Sequence, residues 1–220
     1  MAAPVDFTVN GETAAVEPAE GETLLETLRT RCGVTSVKDG CQPQGQCGCC
    51  LALVDGRPKV TCATKTAKVQ GKTITTLDGV DQRTREAFSR AFAATAALQC
   101  GFCIPGIVLR GAHLVEKDPQ PSREAIAKAI DGHLCRCTGY VKIIDAIQLA
   151  AHSLRTGEPI ALEDDGRVGA RLTRWKAEAM TLGERAYVDD MQLPGMLHGA
   201  VEVVEHAEQV LGGFRRGCFV

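Results

Sequence analysis

The chain has 220 residues, a formal net charge of -2 and 45% apolar residues. This length predicts about two compact domains, because domains usually hold about 100 to 150 residues. The charge gives no electrostatic reason to expect a nucleic-acid or anionic-membrane partner. The sequence shows neither a signal-peptide pattern nor a run of roughly 18 apolar residues, so we expect a cytoplasmic protein without a membrane span.

The first third of the chain predicts a small mixed sheet crossed by one helix. Alternating apolar residues from Val5 to Val9 lead into Asn10-Gly11, a pair typical of tight hairpin turns. Further elements are predicted as a strand at 13–16, a helix at 22–31, a strand at 51–54, a strand from the turn at 55–56 into Cys62, and a strand at 73–77. This order favours a β-grasp, ferredoxin-like domain over residues 1–79.

Helical periodicity replaces the strand pattern after Asp78. Helices are predicted at residues 83–98, 104–117, 122–131 and 138–155, with Pro105 in a first turn and Ser122 and Thr138 as caps. Four helices in this order predict an all-α four-helix domain over residues 80–156. The predicted fold class is therefore α+β.

The remainder of the chain has weaker periodicity and many glycines. The acidic run before Gly166 predicts a linker over residues 157–168. Residues 169–220 are too few for a large core, so we predict only a partial α/β tail there. His198 and His206 lie in this tail without further ligand residues nearby, and we interpret both as structural or solvated.

Eleven cysteines are the strongest chemical signal in the chain. In a reducing compartment they predict metal ligands rather than disulfides. One set has the spacing C-x5-C-x2-C-x11-C, which is close to the plant-type pattern that holds a [2Fe-2S] cluster. This set is Cys41, Cys47, Cys50 and Cys62. Its glycine-rich loop should let backbone N–H groups turn toward the sulfurs and leave the site partly exposed.

Three further cysteines do not fit a ligand spacing. Cys49 and Cys50 are adjacent, and only one of them can stand two residues after Cys47 in the ferredoxin register. We therefore predict Cys50 as the ligand and Cys49 as a buried or half-buried thiol. Cys32 and Cys218 match no pattern and are interpreted as free thiols.

The second set has the spacing C-x2-C followed, after a further 31 residues, by C-x-C; it is Cys100, Cys103, Cys135 and Cys137. Each half of the motif ends just before a predicted helix. Two helix N-termini would thus point at one site and favour a negatively charged cluster. Zinc remains an alternative here, because four thiolates suit either metal centre. Two clusters in one chain predict electron transfer.

Three segments of the chain together resemble one known family. Residues 38–50, 99–106 and 134–140 are similar to the iron-sulfur subunit, or N-terminal iron-sulfur segment, of the molybdenum hydroxylases, the xanthine dehydrogenase and aldehyde oxidase family. The resemblance covers about residues 5–155. It implies a plant-type cluster in the β-grasp domain, nearer FAD, and a second [2Fe-2S] cluster in the helical domain, nearer molybdopterin.

The resemblance also implies cofactors and partners outside the chain. Molybdopterin and FAD would be carried by a large and a medium subunit, or by missing domains, and electrons would flow from molybdopterin through both clusters to FAD. Gln99 and Cys137 would lie against the pterin, Gln99 as a hydrogen-bond partner and Cys137 as a ligand that passes electrons. The alternative for Gln99 is a loop amide without cofactor contact. The first two ligands enclose five residues where many members have four.

The tail carries a second resemblance. Residues 168–171 and 183–200 look like the opening of the large molybdenum-binding subunit, so residues 169–220 are interpreted as a truncated fragment of it. We therefore expect the iron-sulfur part of an oxidoreductase, which is not catalytic at molybdenum on its own. The alternatives are a zinc-stabilised interaction module and a nonfunctional truncated fragment.

Overall fold

A computed structural model of the protein describes residues 4–162, 166–170, 172–191, 193–197 and 199. The interpretations of His198, His206 and Cys218 lie outside the described residues. The chain divides into a compact unit that ends at Tyr187 and a second unit from Val188 onward. Within the second unit, Val188–Asp190 form a 3₁₀ turn.

Five strands form one mixed sheet with the spatial order β2-β1-β5-β3-β4. They are β1 (Val5–Val9), β2 (Glu12–Val16), β3 (Leu51–Val54), β4 (Arg57–Val60) and β5 (Thr73–Thr75). β1 with β2 and β3 with β4 are antiparallel hairpins, whereas β5 pairs parallel with β1 and antiparallel with β3. Asn10 and Gly11 have φ values of 50° and 90°, which confirms the predicted hairpin turn.

One helix, α1 (Leu24–Thr30), covers the sheet. Thr23 and Glu26 form a reciprocal capping box at its start, which satisfies backbone N–H groups that lack a partner within the helix. Leu24 and Leu28 are completely buried in a core shared with Phe7 of β1 and Ile74 of β5. This core makes the first third of the chain a self-packed layer of sheet and helix.

Four helices follow: α2 (Gln82–Ala94), α3 (Ile104–Lys117), α4 (Arg123–Ala129) and α5 (Tyr140–Thr156). Phe88 and Phe92 of α2 pack at 6.5 Å between ring centroids, inside a core that also holds Ile107 of α3 and Ile147 of α5. α2 lies along α5, and α3 also contacts β3 of the sheet. The α+β class predicted from the sequence agrees with this arrangement.

Several predicted boundaries are wrong. The helix predicted to reach Leu98 ends at Ala94, since Ala96 adopts a left-handed φ of 52°. Thr138 does not cap α5; Gly139 occupies the N-cap position, where no side chain accepts a bond from the helix. Cys62 lies in a 3₁₀ turn, Thr61–Ala63, and not at the end of a strand.

The described part of the tail has one short helix, α6 (Ala177–Thr181), and no strand. Before it, Ile160 in the predicted linker is buried. Its carbonyl oxygen accepts hydrogen bonds from Nε and Nη2 of Arg90, at 2.9 and 2.7 Å. This end of the predicted linker is therefore packed on α2. Among the described residues, no helix is long and apolar enough to cross a membrane.

Candidate metal centres

The first cysteine set comes from two segments of the chain. Cys41, Cys47 and Cys50 lie in the loop between α1 and β3, and Cys62 lies in the turn after β4. Cys47, Cys50 and Cys62 are buried and Cys41 is half-buried. The loop residues 42–46 are exposed, as expected for a site with one open side.

Backbone N–H groups in this loop point toward sulfur. The N–H of Gln44 donates to Cys41 Sγ at 3.3 Å. Burial acts to raise the pKa of Cys41, but the N–H groups of Gln46, Gln44 and Cys47 together lower that pKa to about 7. Hydrogen bonds to a thiolate stabilise the thiolate relative to the thiol, so the loop favours the form of Cys41 that binds metals.

The four thiols of the first set interact in two pairs. Cys41 interacts with Cys47, and Cys50 with Cys62. Burial, and then the neighbouring Cys50 thiol, raise the pKa of Cys62 to about 12. Crowded thiols of this kind favour a cation, because a bound metal relieves the repulsion between neighbouring thiolates.

Cys49 lies beside this set, and its thiol interacts with that of Cys47. It is 4% exposed, and its Sγ lies 3.8 Å from the carbonyl oxygen of Cys47. Burial raises its pKa, and the neighbouring Cys47, followed by Cys103 of the second set, adds to this rise. A Cβ placed on Gly40 would stand 3.0 Å from both Cys47 Sγ and Cys49 Sγ, so the loop closes tightly around these sulfurs. The buried position of Cys49 agrees with the prediction from spacing.

The second set lies where two long helices begin. Cys103 is the N-cap residue of α3, and Cys135 and Cys137 lie in the loop just before α5. Cys103 and Cys135 are buried, Cys137 is half-buried and Cys100 is exposed. The positive ends of the two helix dipoles thus lie at the cysteine loops, as the sequence predicted.

These thiols are also paired. Cys100 interacts with Cys137, and Cys103 with Cys135. Burial is the largest influence that raises the pKa of both Cys100 and Cys103, followed for Cys103 by the charge of Cys135. The structure therefore brings together the eight residues that the spacing selected, as two sets of interacting thiols.

Tyr140 is a site residue that the sequence reasoning missed. Its hydroxyl accepts the backbone N–H of Cys135 at 2.7 Å and donates to the carbonyl of His133 at 3.1 Å. Both bonds hold the loop that carries Cys135 and Cys137. The position of Tyr140 in the first turn of α5, three residues after Cys137, was the available sequence signal.

Gln99 lies at the outer edge of the second set. It is exposed, and its Nε2 donates to the carbonyl of Cys137 at 2.9 Å. A cavity of about 300 Å³ opens beside it and is also lined by Cys137, Gly139 and Lys142. The amide therefore fixes the Cys137 loop next to an open space.

The two sets are joined by backbone contacts. The N–H of Leu134 donates to the carbonyl of Cys47 at 2.9 Å. A Cβ added to Gly106 of α3 would lie 2.7 Å from the carbonyl oxygen of Gly48. A Cβ added to Gly48 would lie 2.7 Å from the carbonyl oxygen of Gly132. Only glycine permits so close an approach, so the seam between the two halves depends on these residues.

Comparison with known proteins supports two cluster-binding halves. Residues 7–77 match the family model described as a 2Fe-2S iron-sulfur cluster binding domain, and residues 76–148 match a [2Fe-2S] binding domain. The nicotinate dehydrogenase small FeS subunit of Eubacterium barkeri is 38% identical over 147 residues, which cover 66% of this chain and 93% of that subunit. The zinc-stabilised alternative is not favoured by these matches.

Longer proteins match more of the chain. The aldehyde oxidoreductase of Megalodesulfovibrio gigas is 35% identical over 208 residues, covering 89% of this chain and 23% of that protein. The crystal structure of the aldehyde oxidoreductase from Desulfovibrio desulfuricans superposes with a TM-score of 0.78 at 32% identity, over 86% of this chain and 22% of that one. The chain therefore belongs to the family of iron-sulfur subunits of the molybdenum hydroxylases, and it serves electron transfer through two [2Fe-2S] clusters as part of an oxidoreductase.

Proposed function

We propose that the chain relays single electrons from a molybdopterin centre, through its two clusters, to FAD on a partner. When bound, each [2Fe-2S] cluster takes up and releases one electron. The observation that carries this proposal is the direct hydrogen bond between two loops that each hold paired thiols. The printed name of the Eubacterium relative, a small FeS subunit, supports the existence of further subunits.

In this proposal the first cluster is held by Cys41, Cys47, Cys50 and Cys62. Cys41 interacts with Cys47, and Cys50 with Cys62, so each of these four thiols has a neighbour in the set. The inward N–H of Gln44 stabilises the negative charge on Cys41, and such bonds to ligand sulfur raise a cluster's potential. Cys41 is the least buried of these four, which supports electron exit toward FAD on its side.

The second cluster is held by Cys100, Cys103, Cys135 and Cys137. The starts of α3 and α5 supply positive dipole ends next to its thiolates. Tyr140 orients the ligand loop through its two hydrogen bonds. The same residues thus bind the cluster and lower the cost of its negative charge.

The route between the clusters runs through backbone atoms. Leu134 is bonded to Cys135, and its N–H reaches the carbonyl of Cys47 at 2.9 Å. One hydrogen bond therefore links a ligand of the first cluster to the residue that precedes a ligand of the second. Electronic coupling falls less steeply along bonds than across a gap, so this contact favours transfer between the sites.

Molybdopterin is proposed to approach the second cluster beside Gln99 and Cys137. The open cavity of about 300 Å³ next to these residues supports this placement. Gln99 already donates one amide hydrogen to the carbonyl of Cys137, so it would present its amide to the pterin in a fixed orientation. Cys137, half-buried at the same edge, would pass the electron into the cluster.

The domain limits and partners follow from the same proposal. Residues 1–79 are assigned to a β-grasp domain of the ferredoxin type, 80–156 to the helical cluster domain, 157–168 to a linker and 169–220 to the opening of a molybdopterin-binding part. The partners are a molybdopterin-binding large subunit and an FAD-binding medium subunit. A cytoplasmic location is also proposed, because cysteines used as metal ligands are typical of a reducing compartment.

The test is electron paramagnetic resonance of the dithionite-reduced, anaerobically purified protein, with iron, zinc and acid-labile sulfide measured on the same sample. We expect two distinguishable [2Fe-2S] signals and equal amounts of iron and sulfide. Zinc in place of iron at either site would contradict the relay. A second measurement adds the molybdopterin-binding partner and its substrate, which should then reduce both clusters without dithionite.

A further inference from the structure

A short segment after the ligand motifs packs against both halves of the molecule. This segment, residues 177–187, is named the clasp here; it includes α6 and lies outside both matched cluster-binding ranges. Ala177, Met180 and Thr181 are buried, and α6 contacts α2 and α3. The side chain of Glu184 reaches Arg85 of α2 with 3.1 Å between Oε1 and Nη2.

The clasp crosses the boundary between the two cluster-binding halves at Gly183. A Cβ there would lie 2.9 Å from the Cα of Ser36, in the first half, and 3.1 Å from Cγ of Pro105, in the second. Gly183 also has a φ of +79°, which other L-residues rarely adopt. Close packing at this point therefore requires a glycine and holds the chain against both halves at once.

Tyr187, at the end of the clasp, contacts the ligand loop of the second site. Its hydroxyl donates to the carbonyl of Cys100 at 2.7 Å, and its ring meets Phe102 edge-on at 5.1 Å between centroids. Cys100 is the exposed member of its set, so the hydroxyl of Tyr187 supports a ligand residue that is not packed in the core. A hydrogen bond to the carbonyl also withdraws electron density from the ligand residue.

The ring of Tyr187 also contacts Lys38, which lies close to the first site in the chain. Lys38 Nζ lies 5.0 Å from the ring centroid of Tyr187, and the side chain of Lys38 is fully buried. The N–H of Lys38 donates to the carbonyl of Cys49 at 3.2 Å. Lys38 precedes Cys41 by three residues, and its cation is attracted to the face of the tyrosine ring. One side chain of the clasp thus touches both ligand loops.

We infer that the clasp holds the two ligand loops in a fixed relation, with Tyr187 as the positioning residue. This inference rests on the proposed relay, because a fixed relation between the loops matters only when both hold clusters. Tyr187 contacts backbone and side chains and does not bind a cluster. Its hydroxyl acts on the second loop, whereas its ring acts on both.

The test compares Tyr187→Phe and Tyr187→Ala with the control Trp175→Ala in the cluster-loaded protein. Trp175 is 79% exposed and contacts Lys176, at 4.4 Å between Nζ and the ring centroid. Amide hydrogen exchange is followed in residues 36–41 and 100–104. Tyr187→Ala should accelerate exchange about tenfold in both segments. Tyr187→Phe should accelerate it about threefold in residues 100–104 alone, and Trp175→Ala should accelerate it in neither segment.

A second measurement separates positioning from general stability. Loss of the hydroxyl in Tyr187→Phe should move the reduction potential of the second cluster to a more negative value and leave that of the first unchanged. Unchanged exchange and potentials in Tyr187→Phe, with both clusters present, would overturn the inference. Absence of clusters from the unsubstituted protein would instead overturn the proposed relay. If Tyr187→Ala loses its clusters, Tyr187→Phe alone decides.

Discussion

The two thiol sets achieve similar chemistry with different secondary structure. The first is built in a loop, where single backbone N–H groups such as that of Gln44 point at sulfur. The second is built at the starts of α3 and α5, where the helix dipoles add to the local N–H groups. A negative cluster can therefore be stabilised either by a loop closed around it or by helices directed at it.

The difference also affects how each site depends on the rest of the fold. The first loop is shaped by glycines and by contacts with its own sulfurs, as Gly40 illustrates. The second loop accepts or donates backbone hydrogen bonds with the hydroxyls of Tyr140 and Tyr187, whereas the first loop meets only the ring of Tyr187, at Lys38, among these two tyrosines. We therefore expect distant substitutions to affect the second site more than the first.

The largest expected effect comes from removing one ligand at each site. Cys62→Ser should abolish the first [2Fe-2S] signal, and Cys103→Ser the second, because serine replaces a thiolate ligand that each cluster requires. Each variant should retain the other signal, since the two sets share no ligand residue. Electron paramagnetic resonance measures both signals; simultaneous loss in either variant would show that the sites do not form independently.

The seam between the sites offers the next largest effect. Gly48→Ala should destabilise the protein by about 1–3 kcal/mol more than Gly71→Ala, because its Cβ would stand 2.7 Å from the carbonyl oxygen of Gly132. The two glycines have φ values of +70° and +68°, and nothing lies within 4 Å of a Cβ on Gly71. Urea unfolding compares them; equal losses would mean that backbone strain alone accounts for the effect.

Adjacent cysteines test the assignment within the first site. Cys50→Ala should eliminate the first cluster, whereas Cys49→Ala should keep it and cost about 1 kcal/mol of stability through the lost buried sulfur. Iron content and the resonance signal distinguish the two variants. The reverse result would exchange the roles of Cys49 and Cys50 and change the ligand spacing.

The smallest expected effect concerns α1, away from both sites. Hydrogen bonds from Arg31 hold the pKa of Glu22 at about 2, below its usual value of 4.5. Because the folded pKa is depressed, this contribution is complete above about pH 4.5 and is lost as the pH falls toward 2. Glu22→Gln should lower the melting temperature at pH 7 by up to about 4 °C, without altering either cluster signal. If the difference in melting temperature between Glu22→Gln and the unsubstituted protein grew as the pH fell, the predicted pH dependence would be wrong.

Much of the fold and of the candidate site could be predicted because the signals are local. Asn10-Gly11 predicted a hairpin turn, and the cysteine spacing selected eight residues that the structure brings together. The errors arise where local signals compete with tertiary packing. The helix predicted to reach Leu98 stops at Ala94, and Thr138, a good cap by residue type, has a φ of 54° in the ligand loop instead.

Other features had no signal in a single sequence. Lys38 is completely buried although lysine usually lies at the surface, because the clasp brings Tyr187 over it from far along the chain. The hydrogen bond between Leu134 and Cys47 likewise joins backbone atoms, which carry no residue preference. Contacts of this kind depend on how the two halves dock, and this cannot be read from spacing.

The glycine contacts at the seam have a consequence for how such proteins diversify. Gly48 and Gly106 bring the main chain of one half against the main chain of the other, and both contacts require glycine. Substitutions elsewhere around either cluster can then alter its electrostatic surroundings without displacing it. A protein built in this way can change the reduction potential of each cluster while the distance between the two clusters stays the same.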